Sequence, residues 1–201
     1  LKNYLLRLGW AKGDMEIFSD EEMINTFQDG VMNKSPATFS MDKLLWFNKY
    51  YLDQMSIEAL IKKINLKRFE DNEYSKIVIN AVRDRCETLN DFSIQTDYFF
   101  NDPEVYDQIL IDKHCTTETY SYLTALNNNL NVDGNWEQSR IKEVIDKVAS
   151  DLDIGFGKIG LPLRLALTAT TNSPSIDLVC EILGKEKTLK RLDSFLITIK
   201  N

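Results

Sequence analysis

With 201 residues, 43% of them apolar and 27% charged, the sequence has the make-up of a folded protein with room for one large domain or two to three small ones, and disorder of its bulk is excluded. The formal net charge of −7 argues against a broad basic face for nucleic acid; the excess acidity lies in residues 1–129, whereas 130–201 balances ten basic against ten acidic side chains. There is no apolar run of the ~18 residues that would span a bilayer and no secretory leader pattern, and Cys86, Cys115 and Cys180 are too scattered for a zinc motif or a disulfide framework, so a cytosolic protein with reduced thiols is expected.

The hydrophobic period is helical almost throughout, which predicts an all-α fold. The chain opens on Leu1-Lys2-Asn3-Tyr4-Leu5-Leu6 without a Met and with a helical pattern already in progress, as expected of a piece of something longer. That first helix stops at Gly9. Ser19-Asp20-Glu21-Glu22 has the form of a capping box for a helix to about Phe27, and a loop follows from Asp29-Gly30 to Ser35-Pro36. Ser40 caps a helix from Met41 to about Gln54, and Ser56 caps the next, to about Ile64. The spacing then predicts helices over Glu73–Arg85 and Asp91–Phe100, broken near Thr88-Leu89, with Pro103 in the first turn of a short helix. Thr117–Leu130 reads as a helix, and Asn127-Asn128-Asn129 with Val132-Asp133-Gly134 is the strongest linker signal in the sequence. Asn135 with Gln138 opens a helix to about Leu152, and Gly155 and Gly157 make a turn. Pro162 is expected to start the next helix and Ser173-Pro174 another, after which Gly184 precedes a last helix from Lys185 to about Ile197. No fixed period repeats along the chain, which excludes a regular solenoid.

Tyr4-Leu5-Leu6-Arg7-Leu8-Gly9-Trp10, Gly13-Asp14, Glu16-Ile17-Phe18-Ser19, Lys34-Ser35-Pro36-Ala37 and Lys43-Leu44-Leu45-Trp46-Phe47-Asn48 closely resemble the segment that follows the catalytic signature of bacterial-type glutamyl-tRNA synthetases. Arg83-Asp84-Arg85-Cys86-Glu87-Thr88-Leu89 is similar to that family's first anticodon-binding section. Pro162-Leu163-Arg164, Ala166-Leu167-Thr168, Ser173-Pro174 and Leu183-Gly184-Lys185-Glu186 resemble its C-terminal section. The resemblance implies an elongated multi-helix array: 1–55 as the remainder of a stem-contact domain, 56–130 as a first anticodon-binding domain and 131–201 as a second. It implies a monomer that holds tRNA(Glu), with no role in DNA or membrane binding. The ATP- and magnesium-dependent chemistry would lie in a catalytic domain outside this sequence, so the piece alone would have no catalytic residues and no cofactor. His114-Cys115-Thr116-Thr117 does not replace the family's histidine-glycine signature, and Lys34-Ser35-Pro36 only faintly echoes the lysine-serine one.

By the same resemblance, Arg85 meets the third anticodon base, Arg164 belongs to the anticodon site, and the Asn172-Ser173 turn meets the first two bases with apolar contact from Pro174 and Ile176. A guanidinium suits such work, since its planar fork donates two bonds to a base edge or stacks on a base face. From the residues alone, Arg85 reads equally as an exposed arginine paired with Asp84 or Glu87, Arg164 as an interdomain ion pair, and Asn172 and Ser173 as helix caps. Two positions depart from the family pattern: Ala169 stands where a glycine usually follows Ala-Leu-Thr, and Asp146 where a further arginine is usual. Trp46 with Tyr50, Phe47 with Tyr51, and Tyr98-Phe99-Phe100 are read as core, and Lys185, Lys187, Lys190 and Arg191 as a solvated basic face. His114 is assigned no chemistry. A helical protein-interaction module without RNA binding, and a paralogous synthetase charging tRNA(Gln), are the competing readings.

Overall fold

A computed structural model of the chain describes residues 1–10, 13–29, 37–64, 68–70 and 72–200. The expected loop at 30–36, with Lys34, Ser35 and Pro36, falls outside the described residues. Among those described the secondary structure is all helical: α1 (Lys2–Gly9), α2 (Asp20–Asp29), α3 (Met41–Asp53), α4 (Ile57–Ile64), α5 (Glu73–Val82), a 3-10 turn (Arg83–Arg85), α6 (Leu89–Gln95), α7 (Asp97–Phe100), α8 (Gln108–His114), α9 (Thr119–Leu130), α10 (Gln138–Asp151), α11 (Gly157–Thr168), α12 (Ile176–Leu183) and α13 (Lys185–Lys200).

Several starts follow from side-chain caps. Ser19 and Glu22 bond reciprocally to each other's amides, Ser40 accepts from the Lys43 amide at 3.3 Å, and Ser56 accepts from the Ala59 amide at 3.2 Å. Thr88 and Asp91 form a further capping box, which starts α6 at Leu89 instead of at Asp91 and turns Arg83–Arg85 out of the preceding helix.

Three further starts differ from expectation where a proline or serine was read as the signal, and each moves because of an identifiable neighbour. Pro103 lies in an irregular stretch, because Asp107 caps the Ile109 amide at 2.8 Å and so begins α8 five residues later. Pro162 sits inside α11, which begins at Gly157; the proline has no amide to offer the Lys158 carbonyl, and the surrounding buried Ile159, Leu163, Leu165, Ala166 and Leu167 hold the helix through that gap. Ser173 does not cap α12, which begins at Ile176, since its hydroxyl is engaged with Arg164 and with the Pro174 carbonyl.

One buried apolar cluster runs from Leu52, at the C-terminal end of α3, to Leu196 on α13 and draws on the helices between them. The stretch read as a linker makes a tight turn between α9 and α10, which pack on each other, and α9 also packs against α11 and α13. Lys185 ties that turn down by donating to the Asn131 and Val132 carbonyls at 3.0 and 3.2 Å. Upstream, α1 and α2 pack around Leu6 and Phe18, and α3 packs on α1 through Phe47 and Tyr4. This region is pinned by the buried Asn3, whose side chain donates to the Glu16 carbonyl (2.5 Å) and accepts from the Phe18 amide (2.8 Å) and the Tyr51 hydroxyl (3.1 Å). The core reading of α3 needs correction at one residue. Phe47 is buried, but Trp46 is 48% exposed and stacks on Tyr50 at the surface with centroids 6.3 Å apart. The first pair of the stripe lies outward because the face of α3 turned to α1 is set by Phe47 against Tyr4.

Candidate nucleic-acid interface

Arg85 closes the 3-10 turn after α5, and Asn172 lies 87 residues later in the turn between α11 and α12. The fold brings them together: the Arg85 Nη1 donates to Asn172 Oδ1 at 2.9 Å, and both residues are exposed. Among the described residues Asp84 and Glu87 form no ion pair with Arg85. The turn that carries Arg85 is itself anchored, because the neighbouring Arg83 guanidinium donates to the Leu52, Asp53 and Met55 carbonyls at the C-terminal end of α3, at 2.8, 2.8 and 2.5 Å. A cation there also suits the negative end of that helix.

Arg164 does not sit at a helix start. It lies in the second half of α11, and its half-buried guanidinium reaches beyond the helix to donate to the carbonyls of Ser173 (2.9 Å) and Pro174 (2.6 Å) and to the Ser173 hydroxyl. Among the described residues it forms no ion pair. Arg164 thus shapes the turn whose exposed tip is Asn172. Burial is the first cause that pulls the Arg164 guanidinium below its ordinary range, and the positive charge of Arg85 is the second; Tyr98, Asp177 and Cys180 oppose it. Two cations therefore feel each other without a carboxylate bonded to either. This arrangement favours an arriving group rich in acceptors.

The rest of the turn is held by threonines. Thr168 Oγ1 donates to the Arg164 carbonyl at 2.8 Å and accepts from the Thr170 amide at 3.3 Å, while Thr170 Oγ1 accepts from the Asn172 amide at 2.9 Å. Between them Ala169 adopts φ 53° and ψ 19°, the left-handed conformation. The backbone path that usually takes a glycine is kept by an alanine at a cost of roughly 1 kcal/mol.

Of the candidate residues, Arg85, Asn172 and Arg164 gather at this turn with accessible surface, whereas Ser173 (3% exposed), Pro174 and Ile176 (1% exposed) are buried. The Ile176 side chain belongs to the core and offers no apolar surface to a ligand here. Asp146 is exposed and pairs with Lys142 at 3.8 Å. Tyr98, read as packing, is 5% exposed, and its phenol is pushed up by burial while Arg164 and then Arg85 pull against that shift. Cys86, next to Arg85, is fully buried, with its thiol pushed up to about 12 by desolvation.

The basic stretch on α13 is solvated only in part, with Lys190 exposed and Arg191 buried. Lys187 donates to the Phe99 carbonyl, Lys190 pairs with Asp102, and Arg191 is 2% exposed. The signal was present in the sequence: Thr188, Arg191, Leu192, Phe195 and Leu196 recur at the i, i+3, i+4, i+7, i+8 spacing of a buried stripe, and Arg191 lies on it.

The family model described as the anticodon binding domain matches residues 46–196. A glutamate–tRNA ligase of Ruthia magnifica subsp. Calyptogena magnifica is 37% identical over 201 aligned positions, which cover 96% of this chain and 43% of that protein. The crystal structure of a glutamate tRNA ligase from Elizabethkingia meningosepticum CCUG26117 in complex with its amino acid superimposes with a TM-score of 0.83 at 32% identity, over 98% of this chain and 40% of that one. A glutamate-tRNA synthetase from Elizabethkingia anophelis gives 0.80 at 29% identity, over 97% and 39%. The chain spans about two fifths of the length of these relatives. With three quarters of its residues inside the matched segment and the whole helical array shared with the solved structures, this chain belongs to the anticodon-binding domain family.

Proposed function

We propose that this chain reads the anticodon loop of tRNA(Glu) as part of a glutamate–tRNA ligase, with Arg85, Asn172 and Arg164 at the reading surface. The observation that carries the proposal is the Arg85–Asn172 hydrogen bond, which joins two readout candidates 87 residues apart in sequence beside a second guanidinium. An unstacked base can replace either partner of that bond, because both groups are exposed and together present donors and an acceptor, the combination that Watson–Crick edges require. The chain's acidity is compatible with this reading, since a loop held by a few placed cations does not need a basic face.

In this reading the protein acts as a cytoplasmic monomer, and glutamate is activated by ATP and magnesium elsewhere in the ligase. The test is a fluorescence-anisotropy titration of the chain with tRNA(Glu) and tRNA(Gln) at low salt. Arg85→Gln is expected to lower the preference for tRNA(Glu) by about tenfold, the effect of losing one well-placed guanidinium contact of ~1–2 kcal/mol. An unchanged preference would remove Arg85 from the reading surface, and absence of RNA binding by the wild type would return the chain to the class of protein-interaction modules.

A further inference from the structure

Arg191 is the most buried arginine among the described residues, and none of the bonds its side chain makes stays within its own helix. Its Nη1 donates to two carbonyls at once, Tyr98 at 2.7 Å and Leu167 at 2.7 Å. Its Nη2 donates to the Asn101 carbonyl at 3.0 Å, and Nε donates to Asp102 Oδ1 at 3.0 Å. A single guanidinium from α13 thus joins the end of α7 and the segment after it to the C-terminal end of α11. The Asp102 carboxyl is held below its ordinary range by its bonds to Lys190 and then to Arg191, so the anchor stays charged and acts as an acceptor.

Both joined segments lead to the reading surface. Tyr98, whose carbonyl Arg191 holds, carries the phenol that feels both Arg164 and Arg85. Leu167 lies two residues before the left-handed Ala169, where the chain leaves α11 for the turn that carries Asn172. The distance between these two carbonyls, set at one nitrogen, therefore fixes how the Arg85 side of the array faces the Asn172 turn.

The geometry points to Arg191 as a positioning residue for anticodon discrimination: its guanidinium clamps α7 to α11 and so holds Arg85 and Asn172 in bonding register. The assignment rests on the anticodon reading above. Lysine in its place would keep the charge and lose the fork, because an ammonium on a flexible stem cannot serve three carbonyls and a carboxylate in fixed directions. When the aligned arrangement is populated only about a tenth of the time, apparent affinity falls by about tenfold. The loss should fall on the loop whose third anticodon base is read and spare contacts made to the backbone alone.

The experiment compares the wild-type chain, Arg191→Lys and Asp102→Asn. Each is titrated with a fluorescein-labelled RNA stem-loop carrying the glutamate anticodon and with the same stem-loop altered at the third anticodon base, while helicity is followed by circular dichroism. The expected result is native helicity with the cognate-to-altered affinity ratio reduced about fivefold or more in Arg191→Lys and less in Asp102→Asn. Equal weakening toward both RNAs, or an unchanged ratio in both variants, overturns the positioning role and leaves the anticodon reading intact. Failure of the wild type to distinguish the two RNAs overturns the anticodon reading itself, and this assignment with it. If Arg191→Lys does not fold, Asp102→Asn decides alone, because that side chain is 42% exposed and its loss is tolerable to the core.

Discussion

The two ends of the molecule are built on different physical terms. From α4 to α13 the array closes over a continuous apolar core in which Leu60, Phe92, Phe99, Leu123 and Phe195 have no exposed surface. From α1 to α3 the apolar contacts are fewer, Tyr4 on Phe47 and Leu6 with Phe18, and polar bonds add to them: the three made by the Asn3 side chain, the Arg7 and Lys43 pairs to Glu16, and the Tyr4 hydroxyl that accepts from the Ser40 amide at 2.8 Å. Leu1, Leu5, Ile24 and Phe27 are each more than half exposed there. Apolar burial is additive and forgiving of direction, whereas a polar network holds only while each member keeps its partner. The larger region should therefore melt as a unit and the smaller one should loosen locally.

The largest expected effect lies in the core. Phe195→Ala removes a fully buried ring that packs edge-to-face against Tyr106 with centroids 4.8 Å apart, and is expected to cost about 3–5 kcal/mol in urea denaturation, felt by all of α4–α13. Asn3→Ala is expected to cost less, about 2–3 kcal/mol, from the stranded Glu16 carbonyl, Phe18 amide and Tyr51 hydroxyl. Its signature in hydrogen exchange is loss of protection confined to α1–α3; a uniform loss across α9–α13 would show that the two ends are one cooperative unit. The smallest effect sharpens the contrast from the other side. Ala169→Gly relieves the left-handed alanine and is expected to raise the stability of the larger region by about 0.5–1 kcal/mol, leaving exchange in α1–α3 untouched.

What could be read from the residues was local. Serine and threonine caps mark their helices because cap chemistry is settled within four residues, as at Ser19, Ser40 and Ser56. Pro103, Pro162 and Ser173 misled for the same reason in reverse. Each carries a propensity that a neighbour or a tertiary partner overrides: Asp107 as a better cap, the buried flanks of α11, and the Arg164 guanidinium. At the reading surface, the resemblance singled out Arg85 and Asn172 but could not pair them, since nothing local links positions 87 residues apart. Arg191 was legible in its spacing and obscured by its charge. A buried cation is rare unless every donor is matched, and its four acceptors come from segments that sequence alone does not bring together.

Cys86 gives the surface a built-in chemical reporter. Alkylation proceeds by attack of the thiolate on the reagent, and a thiol enclosed beside Arg85 with its proton held to about pH 12 offers almost no thiolate at neutral pH. Modification of this sulfur must then wait for the segment around it to lift away, so the rate at which maleimide consumes Cys86 counts excursions of the surface, and an RNA that seats there should slow the clock.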